Sequence, residues 1–275
     1  MRNTTSMTAD ALANQIGESL ISLSPEQFGQ LLPFVPDTPW TTTPIHVIQR
    51  RQGRIFVDSP TAPRNLVVIA QGDPVTRAVD HAFLFGSPAS DALRTFAQAI
   101  RGPMEIVCDD ETAKLLAEHH PEARRRDSVV HWFERLEDAD VVRAEPGARR
   151  LRITEADQIA QLVPGWALRT FRTPKELVTG GTVYVVEAEG RIASAGFSVD
   201  QSMKYERVGV STWEALRRRG HGSRVAAKVV RAIADQGRIP CMTVERNDAA
   251  GLRIAEKLGF NQRALMTTFL TTFRK

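Results

Sequence analysis

The stretch that most restricts how this chain folds is Val208–Ser223, VGVSTWEALRRRGHGS. A short apolar alternation, Val208 and Val210, ends in a polar turn, and Arg217-Arg218-Arg219-Gly220-His221-Gly222 follows. Directly after it Val225, Val229 and Ile233 recur four residues apart, with Ala226 and Val230 beside them, which predicts one apolar helix face. The glycines and arginines therefore fall in a strand-to-helix turn at a helix N-terminus. Unpaired backbone N–H groups and the positive end of the helix dipole concentrate there. Glycine removes the side chains that block an approaching anion, and arginine adds charge. The stretch reads as a pyrophosphate cradle.

A length of 275 residues admits one large or two ordinary domains. Apolar and charged shares of 42% and 25% are those of a soluble globular chain. No run approaches the roughly 18 consecutive apolar residues of a membrane span. The N-terminal MRNTTSMTAD lacks the basic-then-apolar layout of a signal peptide. The two cysteines, Cys108 and Cys241, sit in apolar strand-like runs and are expected as buried, reduced thiols. A cytoplasmic protein without a membrane partner is the expectation. The net charge of +4 rests on short clusters: Arg50-Arg51, Arg124–Arg126, Arg149-Arg150 and Arg217–Arg219. The first three read as solvated turn charges and the last as the anion site, so no nucleic-acid partner is expected. His119-His120 have no further ligands at metal spacing, and no metal is expected.

Two motifs carry a family resemblance. Arg217-x-x-Gly220-x-Gly222 matches the Q/R-x-x-G-x-G/A signature of the GNAT N-acetyltransferase superfamily, behind a strand at the expected distance. About forty residues on, Asp248–Phe260 resembles the superfamily's later helix, ending in K-L-G-F. The segment Gly53–Asp58 with the strands after it also resembles the N-terminal half of zwittermicin-resistance-like acetyltransferases.

The resemblance implies acetyl transfer from acetyl-CoA to an amine, by direct attack in a ternary complex. It gives the pyrophosphate to Arg217, Arg218, Arg219, Gly220, His221, Gly222 and Ser223, with Ser223 as a candidate helix cap. It gives the thioester to backbone groups of Val210, Ser211 and Thr212, and further cofactor contacts to Asn247 and Asp248. A carboxylate must take the proton of an ammonium with pKa ~10.4. Glu206 and Glu245, on strands flanking the cleft, are the candidates, with a surface salt bridge as the plainer reading of each. The tyrosine many relatives carry five residues before the phenylalanine is Ala255 here, and Asp248 stands where asparagine is usual. Asp248 suits a helix cap first. Gly251, where relatives often carry serine, is a place for close cofactor approach. A small-molecule amine is the leading acceptor. A protein or peptide amine and a non-catalytic CoA-binding regulatory module are the alternatives.

The expected fold is α/β (α+β). Residues 141–275 form a mixed, mostly antiparallel acetyltransferase sheet flanked by helices. Residues 1–140 form an α/β domain, either a degenerate copy of that fold without a cofactor motif or an unrelated scaffold. This domain has three candidate uses: shaping the acceptor cleft, forming a homodimer, or stabilising the fold. Residues 137–149 read as the linker. Helices are expected at 8–20, 25–33, 88–101, 110–119, 154–162, 223–236 and 248–257, with a helical or looped wall over 164–178. Strands are expected at 46–49, 54–58, 65–70, 81–85, 104–108, 128–135, 151–153, 182–188, 191–199, 205–212 and 240–245. A final bent strand or pair runs over 263–273, and Gln52-Gly53 reads as a hairpin turn.

Overall fold

The computed structural model describes residues 19–71, 80–143 and 146–272. The expected helix at 8–20 lies almost wholly outside them. The chain forms two compact units. Unit 1 takes residues 1–36, 47–127 and 266–275; unit 2 takes 37–46 and 128–265. Residues 137–149 lie inside unit 2.

In unit 1, strands β1 (Ile21–Ser22), β2 (Arg54–Val57), β3 (Leu66–Ala70) and β4 (Asp80–Phe85) form an antiparallel meander. Helix α2 (Asp91–Ala99) then leads to β5 (Met104–Cys108), which runs parallel to β4. Helix α3 (Asp110–His119) follows. Ser90 caps α2 by accepting from the Leu93 N–H at 3.2 Å, and Asp109 caps α3 from Thr112 at 2.7 Å. The helices bury Leu93, Phe96 and Leu116 against Phe56, Val67, Ile69 and Ile106 of the sheet. The other edge of β5 is covered by Thr267–Leu270, the end of β12 (Gln262–Leu270).

Unit 2 repeats this order. Strands β8 (Val183–Ala188), β9 (Arg191–Gln201) and β10 (Tyr205–Thr212) form a meander. Helix α5 (His221–Ala234), the parallel strand β11 (Ile239–Glu245) and helix α6 (Ala249–Leu258) follow. Strand β7 (Arg149–Arg150) joins the β8 edge, and Ser128–Trp132 of β6 (Arg124–Trp132) joins β11. Each unit therefore takes its last strand from the other half of the sequence. The element order matches between the units, but Gly86–Asp91 stands where unit 2 carries the arginine–glycine turn. The strands of unit 2 pair in a mixed, mostly antiparallel pattern, as expected.

Alternation sets the two faces of the unit 2 sheet. A Cβ built on Gly196 would meet Val225 of α5 at 2.9 Å, so glycine there lets the helix lie close on β9. Gly209, on the opposite face, would meet Phe197 at 2.4 Å and Trp166 at 3.1 Å. The segment holding Trp166 comprises 3-10 turns at Ile153–Ile159 and Gly165–Leu168 and helix α4 (Pro174–Gly180). Its Ile159, Leu168 and Leu177 pack on Val185, Phe197 and Val199.

Several local expectations are corrected. Residues 46–49 are not a strand but the end of helix α1 (Thr42–Arg50). Four apolar-rich residues fit either period, and Pro44 sits in the first turn, where proline costs nothing. Gln52-Gly53 is consequently a helix-to-strand turn, with Gly53 at φ +76°. The helix expected at 25–33 is a 3-10 segment, Pro25–Phe34, with Pro33 inside it. The helix expected at 154–162 is the 3-10 turn at 153–159. There the Glu155 carboxylate takes bonds from Arg152 and Arg149, which hold it well below the usual carboxylate range. Helix α5 starts two residues earlier than expected, with Gly220 as its cap in place of Ser223. One strand, β12, covers 262–270, and Phe273 lies outside the described residues. No helix among the described residues is long and apolar enough to cross a membrane.

Asp200 ties the segment 37–46 into unit 2. Its side chain is 3% exposed and forms an ion pair with Arg207, which is 16% exposed. It also accepts from Thr43 at 2.7 Å and Thr170 at 3.0 Å. Burial alone would raise the Asp200 pKa, but the Arg207 guanidinium, His46 and the two hydroxyls outweigh it and hold it low. A carboxyl held below its unfolded value stabilises the fold above about pH 3.9, and that contribution fades as the pH falls through the lowered value. Asp200→Asn should cost about 3 kcal/mol at neutral pH, because Arg207 keeps a largely desolvated charge without its partner. It should also flatten the acid side of the stability–pH curve. Urea melts from pH 7 to pH 3 check this; an unchanged melt and slope would contradict it.

Candidate active site

The site begins with a pairing that stops early. Strands β10 and β11 pair only from Tyr205–Arg207 to Ile239–Cys241. β10 stays paired with β9 through Thr212, and β11 with β6 through Glu245. Beyond Arg207 the two parallel strands separate, and a wedge opens between them. The Trp213 N–H donates to the Ala193 carbonyl at 3.1 Å. This fixes the phase of the antiparallel ladder: Gly209 and Ser211 bond to β9, so the N–H groups of Val208, Val210 and Thr212 face the wedge. A strand cannot satisfy such an edge from one side, and the wedge is therefore a row of donors and acceptors addressed to a ligand.

The arginine–glycine turn closes the wide end. Gly220 caps α5 at φ +79°, and Arg218 adopts φ +62°, an uncommon conformation for a side-chain-bearing residue. Left-handed positions in a turn leading into a helix gather successive N–H groups into an anion-binding concavity. No atom lies within 4 Å of a Cβ placed on Gly220, so the mouth is open. At the floor, a Cβ on Gly222 would stand 3.2 Å from Ile254 and 3.4 Å from Thr212 and Val210. Any side chain there would fill the junction of cradle and wedge. Together they form a cleft of about 900 Å³ lined by Val210–Thr212, Leu216, the turn, Met242 and one face of α6.

The cleft brings together most of the expected residues. Val210, Ser211, Thr212, Arg217, Arg218, Gly220, His221, Gly222, Ser223 and Asp248 line it. The Arg217 Nε–H reaches the Thr212 carbonyl at 3.3 Å. Both ring nitrogens of His221 are buried and make no hydrogen bond within the protein. Arg219 points elsewhere, to Glu189 at 2.6 Å, and Asn247 is an exposed turn residue off the lining. Asp248 is a cap: its Oδ1 accepts from Ala250 at 3.1 Å and Gly251 at 3.0 Å. The space left by Gly251 is taken by Asp248 and Val244, each 2.7 Å from where a Cβ would stand, so this glycine serves helix-to-strand packing.

The two candidate carboxylates lie apart. Glu206 is 3% exposed and paired with Arg238 at 2.9 Å, opposite Pro240, where β10 and β11 are still joined. It stands four residues from Val210, about 13 Å along the strand. Glu245 ends β11 and is exposed. Continuing the register Arg207↔Cys241 brings it level with Ser211 across the wedge. Its neighbour Val244 packs toward α6, so Glu245 turns to the opposite face, the one that carries Gly209, Ser211 and Trp166. Trp166 is 43% exposed there. Ala255 is fully buried with Met242 and Val244 and presents nothing to the cleft. Cys241 is buried, and burial pushes its thiol up to about 12, so it is no nucleophile.

Sequence reasoning missed the α6 face of the cleft: Arg253, Ile254, Glu256 and Lys257. Their spacing was visible, but charged residues on a helix read as a solvated face unless a cleft is known to lie beside them.

The sequence model of the GNAT acetyltransferase family matches residues 35–269. Among solved structures, a GCN5-related N-acetyltransferase-like protein from Streptococcus suis superposes with a TM-score of 0.63 at 18% identity, covering 90% of this chain and 100% of its own. A Drosophila protein reaches 0.68 at 14% identity, covering 93% and 99%. A tandem GNAT protein from the clavulanic acid biosynthesis pathway reaches 0.60 at 16%, covering 92% and 97%. Among curated proteins no sequence matches this chain.

Position 220 separates backbone strain from electrostatics. Alanine and glutamate both suffer the positive φ, at ~1–2 kcal/mol, and should melt alike. A carboxylate some 4 Å from bound phosphate adds a repulsion of about 4 kcal/mol, so Gly220→Glu should lose over a hundredfold in CoA affinity that Gly220→Ala keeps. Calorimetry with both variants checks this; equal losses would make the turn a structural feature only.

Proposed function

Because the chain belongs to the GNAT acetyltransferase family, we propose that it transfers the acetyl group of acetyl-CoA to the primary amine of a small molecule, by direct attack with both substrates held together in unit 2. The observation that carries this reading is the wedge between β10 and β11 with an anion cradle at its wide end. Bound acetyl-CoA supplies an activated acetyl group as a thioester. The chain's part is to hold, polarise and deprotonate.

The backbone N–H groups of the α5 start and the Arg217 and Arg218 side chains bind the diphosphate. The backbone donors are set by the helix itself, so little ordering of them is needed on binding. The Val210 N–H, facing the wedge, donates to the thioester carbonyl. A fixed donor aimed at a developing oxyanion is typically worth ~3 kcal/mol. The amine enters from the face opposite α5, along Trp166, Gly209 and Ser211. Glu245, exposed on that face, takes its proton directly or through one water. Glu206 serves as the buried partner of Arg238. Position 255 offers no hydroxyl acid. A thiol with a pKa near ~8.5 leaves as its anion at modest cost, so the chemistry survives that substitution. The segment 153–180 covers the sheet face down to the Trp166 ring, which supports a small acceptor over a folded protein. Unit 1 has the same strand–helix order with Gly86–Asp91 in place of a cradle, which supports a copy that does not bind CoA.

The missing tyrosine favours a second reading, a CoA-binding module without turnover. Release of CoA thiol on an amine panel decides between them. With an accepted amine, Glu245→Gln should lower kcat by about a hundredfold or more near pH 7. Glu206→Gln should lower the melting temperature and leave kcat nearly unchanged. Tight CoA binding with no turnover on any amine would establish the second reading, and equal, small losses in both variants would remove Glu245 from the chemistry.

A further inference from the structure

Granting that CoA occupies the cleft, we propose that Arg253 and Lys257 form a second anion subsite, which takes the 3′-phosphate of CoA and makes the protein discriminate against the 3′-dephospho form. The two residues are one helical turn apart on α6, and both line the cleft that the cradle closes. Ile254 lies between them in sequence, and its Cδ1 stands 3.2 Å from a Cβ placed on Gly222. The basic pair is therefore held next to the cradle on a separate wall.

The α6 wall brings two cations, Arg253 and Lys257, and one carboxylate, Glu256, to the cleft, so it adds basic charge to that of the cradle. The α5 start and Arg217 and Arg218 already meet two phosphates at the cradle. Two acids line the cleft, Asp248 and Glu256. The Asp248 carboxylate is engaged by the Ala250 and Gly251 N–H groups. No carboxylate among the described residues lies within ion-pair distance of Arg253. Elsewhere in unit 2 Arg219 pairs with Glu189, Arg231 with Asp140 and Arg238 with Glu206, whereas the arginines that line the cleft, Arg217, Arg218 and Arg253, have no carboxylate partner among the described residues. An arginine left without a carboxylate on a cleft wall presents a planar fork of donors suited to two phosphate oxygens, and the lysine adds a point charge. In CoA the diphosphate and the 3′-phosphate hang from one ribose, so the two anions are close neighbours and need two adjacent basic walls.

Calorimetric titration of the full chain with CoA and with 3′-dephospho-CoA tests this. The wild type should bind CoA at least about tenfold more tightly than the dephospho form, the scale of one charge-assisted hydrogen bond. Arg253→Ala and Lys257→Met should each weaken CoA and leave dephospho-CoA within about twofold; together they should abolish the preference. Both sites are exposed, and a thermal melt confirms the fold. Gly220→Glu, by contrast, should weaken both ligands alike. A wild type that binds the two ligands equally, or an Arg253→Ala loss that is the same for both, would overturn the subsite while the acetyl-CoA reading stands. A wild type that binds neither would overturn that reading and the subsite with it.

Discussion

The structure of unit 2 depends on a parallel pairing that ends after Arg207 and Cys241. Two parallel strands that stayed joined to their ends would satisfy each other's N–H and C=O groups and leave no site. Their early separation converts one edge of β10 into a row of addressed donors. The separation is held open from outside: β9 grips β10 as far as Thr212, and β6 grips β11 as far as Glu245. Helix α5 bridges the gap on one face, kept close to the sheet by Gly196. The Trp166 segment covers the other face. Each wall of the cleft is thus held by pairing or packing on the side away from it, and walls held in this way position a reacting group at little further cost.

The two units show what the cradle adds. Both run meander, helix, parallel strand, helix, and both bury an apolar helix face on the sheet. In unit 1 the strand-to-helix turn, GSPASD, carries Ser90, which caps α2 with its own side chain. In unit 2 a glycine takes the cap position and supplies no side-chain oxygen. The α5 N–H groups are then left for a ligand. The corresponding helix start is capped by a side chain in one unit and left without a side-chain cap in the other.

Much of this was legible in the sequence where local chemistry decides. Met104–Cys108 and Tyr205–Thr212 come out with the bounds read from their apolar runs, because turn residues bracket them tightly. The cradle was legible because glycine and arginine have few other reasons to cluster before an apolar helix. Residues 46–49 were not, since four residues carry no period of their own and Pro44 reads equally as a breaker or a first-turn residue. The exchange of Ser128–Trp132 and Met266–Leu270 between the units was hidden, because strand partners far apart in sequence leave no local trace. The α6 wall was hidden for a related reason. Arg253 and Lys257 gain meaning only from the turn that folds against them.

Hydrogen exchange measured with and without acetyl-CoA tests the central claim most directly, because it reads the wedge and the cradle at once. The account predicts slowed exchange in the segments holding Val210–Thr212 and Gly220–Arg224, and unchanged exchange at Gly86–Asp91 of the other unit. Protection absent from the β10 end, or equal in both strand-to-helix turns, would contradict it.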